Sequence, residues 1–274
     1  MNDDAHNVLH VLLTGETGGY YADYAEAPAE KLARCLAEGW VFQGEYSGYL
    51  GAPRGTPSGD LPPTAHVLFL QNHDQTGNRA FGERLTVLAQ PEALEAAIAL
   101  QLLCPQIPLL FMGEEDACTT PFLFFTDHHD DLAEAVREGR RSEFARFAAF
   151  ADPAQRERIP DPNSEATFQD SVPRADAVRG AERRALYQSL IKLRRDHVVP
   201  RLAGARSLGA EVLGPKAVVA RWRMGDDAIL TIATNFDDMP VPYHSSGGML
   251  LFASVEPGSG ILPGRCTLCY LEVK

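Results

Sequence analysis

His66-Val67-Leu68-Phe69-Leu70-Gln71, running into Asn72-His73-Asp74-Gln75, decides how the chain is read. The first part is mostly apolar and does not alternate. It therefore predicts a strand covered on both faces, the kind found in parallel sheets. Pro91 then opens a segment, residues 92–104, with Leu94, Ala97, Ile98 and Leu102 on one helical stripe. Pro105 and Pro108 stop it, and Leu109-Leu110-Phe111-Met112 predicts a second buried strand ending in Gly113-Glu114-Glu115-Asp116. Strand, helix and strand make a βαβ unit. Ligands of α/β folds gather at the carboxyl ends of the strands, so Asp74 and Glu114/Glu115 are expected on one rim.

Upstream, helices are predicted at residues 6–13, closed by the glycines of residues 15–19, and at residues 27–40. A Gly- and Pro-rich loop from about residue 43 to 63 carries Tyr46 and Tyr49. Downstream, helices are predicted at residues 132–138, 142–150 and 181–197, and Lys192, Arg194 and Arg195 suit the end of the last one. After Pro200 the period changes. Residues 217–224 and 228–236 flank Gly225-Asp226-Asp227 as a hairpin, and residues 249–254 and 266–273 add strands. A (β/α)8 barrel needs eight parallel strands over about 250 residues. With two such strands, the fold class is α/β: the C-terminal part of a TIM barrel over residues 1–202, then a small antiparallel β-sandwich domain over residues 203–274.

The chain has 274 residues, 45% hydrophobic and 23% charged, the balance of a globular protein. Twenty-five Lys and Arg against 37 Asp and Glu give a net charge of −12, which argues against binding the phosphate backbone of nucleic acid. No apolar run is long enough to span a membrane, and the first residues lack the pattern of a secretion signal. The five cysteines are odd in number, so a reduced, cytoplasmic setting is expected. Cys266-Thr267-Leu268-Cys269 has C-x-x-C spacing, but a zinc site would need a second pair. On a strand, residues three apart also face opposite ways.

Asn72-His73-Asp74-Gln75 is the sharpest candidate site. A fixed carboxylate there could stabilise a developing cation, with the histidine donating to a hydroxyl. The plainer alternative is a turn capped by its own Asp. Glu114 and Glu115 fit either an acidic site or a solvated loop, and clustered carboxylates could also hold a divalent ion. Phe124-Phe125-Thr126-Asp127-His128-His129 offers aromatics and a histidine pair, while Arg137, Arg140 and Arg141 read as a solvated helix face. No Gly-rich phosphate loop and no G-x-S-x-G elbow is present.

Taken together, residues 13–16 (LTGE), 71–80 (QNHDQTGNRA) and 124–128 (FFTDH) resemble the α-amylase family of glycoside hydrolases. Within it they resemble the C-terminal half of the malto-oligosyltrehalose trehalohydrolases, and the likeness runs along essentially the whole chain. It implies that residues 69–80 belong to the seventh barrel strand and its loop, and residues 109–128 to the eighth. It also implies a retaining hydrolase that cleaves the α-1,4 bond next to a terminal trehalose unit of malto-oligosyltrehalose, without an organic cofactor or metal. Asp74 would be the transition-state stabiliser, and Asn72, His73, Gln75, Glu114 and Glu115 would bind substrate. The nucleophile and the acid/base belong to the family's fourth and fifth strands, which are not recognised in this sequence. The chain alone is therefore expected to be inactive, aggregation-prone and in need of the N-terminal half as partner. Two alternatives stand beside this: a maltodextrin-binding remnant using Trp40, Tyr46 or Phe125, and part of another family member such as a branching enzyme.

Overall fold

The computed structural model describes residues 1–145, 152–245 and 247–273. Helix α1 (Asp3–Thr14) starts at Asn2, whose side chain accepts from the Ala5 N–H at 3.1 Å, and stops at Gly15, which takes φ 74°. That positive φ is why glycine closes this helix. A single turn, α2 (Ala22–Ala25), leads to α3 (Pro28–Glu38), which opens on proline. Strands β1 (Tyr46–Ser47) and β2 (Ala52–Pro53) form a small antiparallel hairpin inside the expected loop. Next come β3 (Val67–Leu68), α4 (His73–Gly77), the turn α5 (Leu85–Leu88), α6 (Pro91–Leu103) and β4 (Ile107–Pro108). Helices α7 (Asp130–Phe144), α8 (Pro153–Glu157), α9 (Glu165–Asp170) and α10 (Gly180–Leu193) complete the helical part. The strands β5 (Arg206–Gly214), β6 (Ala217–Arg223), β7 (Ile229–Asn235), β8 (Val241–Pro242), β9 (Met249–Ala253), β10 (Ile261–Leu262) and β11 (Cys266–Glu272) follow.

Several expectations shift. The parallel pair is real but short: Val67 lies opposite Ile107 and Leu68 opposite Pro108. The ladder closes with the Leu109 N–H on the Leu68 carbonyl at 2.9 Å. Residues 109–112 are thus not the second buried strand, and Leu110 and Met112 are 39% and 47% exposed. The chain leaves the ladder there and turns at Gly113, φ 87°. Helix α6 carries no single stripe; its residues from Ala96 to Leu103 are all buried, as expected of a helix apolar on every side. The two helices expected at 132–138 and 142–150 are one helix, α7, running through Gly139, and residues 146–150 lie outside the described residues.

Strand β5 departs from the sequence reading, because Gly209, Glu211 and Gly214 break its pattern. It is an edge strand, which can tolerate such residues. The C-terminal sheet is antiparallel in the order β5-β6-β7-β11-β9, with a separate two-stranded ribbon of β8 and β10. Val219, Ala233, Tyr243, Leu262, Cys266 and Leu268 form its core.

The chain gathers into two compact units. One holds Met1–Leu70, Ala89–Leu109 and the chain from Ala185 onward; the other holds Gln71–Leu88 and Leu110–Arg184. Thr267 Oγ1 on β11 donates to the Ala96 carbonyl of α6 at 2.8 Å, so the sheet and α6 share one interior. No helix among the described residues is long and apolar enough to cross a membrane.

Candidate active site

The site is built on one turn. Buried Phe69, Leu70 and Gln71 bring the chain up from β3, and Gln71 Oε1 accepts from the Leu85 N–H at 3.1 Å. Asn72 is extended (φ −150°, ψ −174°) and caps α4, its Oδ1 accepting from the N–H groups of Asp74 at 2.8 Å and Gln75 at 3.1 Å. This is the Asn N-cap preference at work. It spends the Asn72 side-chain carbonyl oxygen on the backbone of the turn. His73 Nε2 lies 3.3 Å from Asp74 Oδ1, with the two side chains 67% and 54% exposed. A carboxylate and an imidazole are thereby presented side by side, and Gln75 beside them is half-buried.

Sequence reasoning missed two buried arginines, one of which holds this turn. Arg140, read as part of a solvated face, is buried. Its guanidinium donates to the carbonyls of Gly77 at 2.7 Å and Arg79 at 2.8 Å, closing the C-terminal end of α4. It also lies over the rings of Phe124 and Phe144, 5.0 and 4.8 Å from their centroids. Arg84 is buried too, donating to Thr120 and Met112 carbonyls at 2.7 and 2.8 Å and covering Phe111 at 4.8 Å. Burial lowers its pKa, against the pull of Cys118, Glu114 and Glu115. A lone arginine on a helical or loop segment has no sequence signature that separates these roles from solvation.

Glu114 and Glu115 sit in a single 3-10 turn, Glu114–Asp116. Gly113 needs its positive φ there, and a Cβ would meet the Cys118 Cβ at 2.9 Å. Glu114 is buried. The Glu115 carboxylate accepts from the Gly113 N–H at 3.0 Å, and Asp116 is held by Arg184 Nε at 2.8 Å. Parallel pairing of β3 and β4 sends both acidic segments out from the same end of the ribbon. The structure thus joins Asn72, His73, Asp74 and Gln75 in one turn and puts Glu114 and Glu115 in another. Phe125 packs edge-on against Phe122 and Phe168. Among the described residues no group of three His, Cys, Asp or Glu could hold a metal ion. Cys266 and Cys269 are buried on β11, and burial raises both thiol pKa values.

Comparison with known proteins agrees along the chain. Residues 205–268, within the C-terminal sheet, match the family model described as Domain of unknown function (DUF3459). The malto-oligosyltrehalose trehalohydrolase of Rhizobium sp. (strain M-11) is 40% identical over 261 residues, covering 92% of this chain and 42% of that protein. The enzyme of the same name from Deinococcus radiodurans is 43% identical over 202 residues, 72% of this chain and 33% of its own length. That from Arthrobacter ramosus is 38% identical over 94% of this chain and 43% of its own. A 1.4 Å crystal structure of a Salmonella typhimurium protein assigned as an alpha amylase superposes with a TM-score of 0.90 at 43% identity, covering 99% of this chain and 46% of that one. The chain thus spans less than half the length of these relatives. By these likenesses the chain belongs to the malto-oligosyltrehalose trehalohydrolases, within the α-amylase family of glycoside hydrolases.

Proposed function

We propose that this chain supplies the transition-state-stabilising carboxylate, Asp74, to a retaining hydrolase. That enzyme cleaves the α-1,4-glucosidic bond next to the terminal trehalose unit of malto-oligosyltrehalose and releases trehalose. The observation that carries this is the half-exposed Asp74 carboxylate beside His73 Nε2, on a turn capped by Asn72 at the end of a parallel strand. Breaking a glucosidic bond builds positive charge at the anomeric carbon. A fixed carboxylate there lowers the barrier, and hydrogen bonds to sugar hydroxyls add several kcal/mol. His73 donates such a bond, and Asn72, Gln75, Glu114 and Glu115 shape the same subsite.

The nucleophile and acid/base, which a retaining enzyme sets about 5 Å apart, are assigned to strands outside this sequence. The 274 residues are accordingly inactive alone, and an N-terminal barrel half is the required partner. Residues 1–202 form barrel elements and residues 203–274 the appended β domain. The enzyme works in the cytoplasm.

The test is trehalose release from malto-oligosyltrehalose, by this chain alone and by the chain joined to the preceding barrel strands of a relative. Release is expected only from the joined protein, with a loss of about 10²–10³-fold or more in Asp74→Asn. Release by the chain alone, or undiminished release in the variant, would overturn the proposal.

A further inference from the structure

A cavity of about 380 Å³ lies in the first unit, between α3 and the segment carrying β1. That is the low end of the size range of small-molecule sites. Val41 and Phe42 form its floor, Tyr46 stands at its mouth, and Asp23, Glu30, Lys31, Arg34 and Glu45 line it. We propose that this cavity is a second carbohydrate site, separate from the Asp74 turn, that takes one pyranose unit of a maltodextrin. The choice of glucan rests on the function proposed above; the choice of a neutral sugar does not.

The walls are held by the protein itself. Buried Asp4 accepts from the Val41 and Phe42 N–H groups at 2.9 and 3.0 Å and is paired to Arg54 at 2.9 Å, which fixes the floor. Asp23 accepts from Ser47 Oγ and from the Tyr49 N–H at 3.1 Å, fastening the hairpin. Arg34 Nη1 pairs with Glu45 at 2.6 Å across the wall. A site already ordered loses less entropy on binding.

The charges then select the ligand. An anion would need spare positive charge, but Arg34 is engaged by Glu38 and Glu45, the Lys31 ammonium donates to the Glu26 carbonyl, and three lining carboxylates outnumber two cations. A metal ion is disfavoured because the lining carboxylates Asp23, Glu30 and Glu45 do not form a three-ligand cluster among the described residues, and Asp23 and Glu45 are already engaged by Ser47 and Arg34. What remains is a neutral molecule with hydroxyls around its edge and C–H groups on its face. Tyr46, 66% exposed, supplies an aromatic surface for that face, and the mixed donors and acceptors of the wall suit the hydroxyls.

The experiment is calorimetric and NMR titration of the full chain with maltotriose, galactose and inorganic phosphate, repeated for Tyr46→Ala, Glu30→Gln and Asp74→Asn. Maltotriose is expected to saturate with millimolar affinity. Tyr46→Ala should weaken it at least tenfold, Glu30→Gln severalfold, and Asp74→Asn not at all. Tyr46 and Glu30 are both exposed, so neither variant should disturb folding. Maltotriose binding weakened by Asp74→Asn but not by Tyr46→Ala would overturn the cavity site and leave the proposed function standing. Tyr46-dependent binding of galactose alone would uphold a sugar site and count against the glucan assignment. No saccharide binding below about 10 mM, or Tyr46-dependent binding of phosphate, would overturn the proposal outright.

Discussion

His6 donates its Nδ1–H to the carbonyl oxygen of Leu70 at 2.6 Å, four residues before Asp74. A carbonyl can only accept, so Nδ1 carries the proton and Nε2 is left as a bare acceptor, buried without a hydrogen-bond partner among the described residues. The ring also stacks on Phe69, at 5.3 Å and 11°. Burial, with His10 nearby, lowers the His6 pKa from 6.5 to about 3, against the bond to Leu70. The folded chain thus refuses a proton that the unfolded chain accepts. The stabilising contribution is complete above about pH 6.5 and is lost as the pH falls from there toward the folded pKa. The free energy of urea unfolding should fall between pH 7 and 4.5 by up to about 2–3 kcal/mol. His6→Gln should flatten that slope, whatever its own cost at pH 7. An unchanged slope in the variant would mean that the pH sensitivity belongs to other groups.

Arg194 supports the same unit from a different side. Its position near the end of its own helix suggests a role there. Instead its buried guanidinium donates to the carbonyls of Leu102 at 2.9 Å, Cys104 at 2.6 Å and Gln106 at 2.9 Å. These include the last carbonyls of α6 and the link into β4, groups that every helix end leaves unsatisfied. Burial lowers the arginine's pKa, with Cys104 opposing. Arg194→Met should cost about 3 kcal/mol in urea unfolding, because three buried acceptors lose their donors. Arg194→Lys should recover only part of this, since an ammonium cannot reproduce the fork. Full recovery by lysine would reduce the role to charge.

The elements with strong local signals were legible. Gly15 ended α1, Pro91 opened α6, the spacing of Leu32, Cys35 and Leu36 marked α3, and short apolar runs marked β6, β7, β9 and β11. The turn at Asn72-His73-Asp74 was legible too, because an apolar run that stops at three polar residues marks a chain leaving the interior. What stayed hidden depends on contacts far apart in sequence. Arg140 meets Gly77 across 63 residues, and Arg194 meets Leu102 across 92. Neither pairing leaves a mark on local periodicity. Strand β5 was hidden on different grounds: an edge strand carries half its surface exposed and need not alternate.

Arg140 should be the more telling arginine for the site. Arg140→Ala removes the donors to Gly77 and Arg79 and the cover over Phe124 and Phe144 together. A loss of about 2–4 kcal/mol is expected, combining unsatisfied carbonyls with lost packing. The amides of residues 73–77 should also exchange hydrogen faster than those of α7. Equal speeding of both helices would indicate a general loss of stability with no special hold on α4.

Asn72 and Asp74 can be separated experimentally, because one orders the turn and the other is presented by it. Asn72→Ala removes the acceptor for two N–H groups and should cost about 1 kcal/mol, as lost caps do. Asn72→Asp keeps a capping oxygen and should recover most of that. Asp74→Asn alters a half-exposed side chain and should stay within about 0.5 kcal/mol of the original chain. In a joined, active barrel the order of effects should reverse. Asp74→Asn should then abolish most turnover with an unchanged melting curve, and Asn72→Asp should retain most of it. If Asn72→Asp lost as much activity as Asp74→Asn while remaining stable, Asn72 would itself touch the sugar and not merely hold the turn.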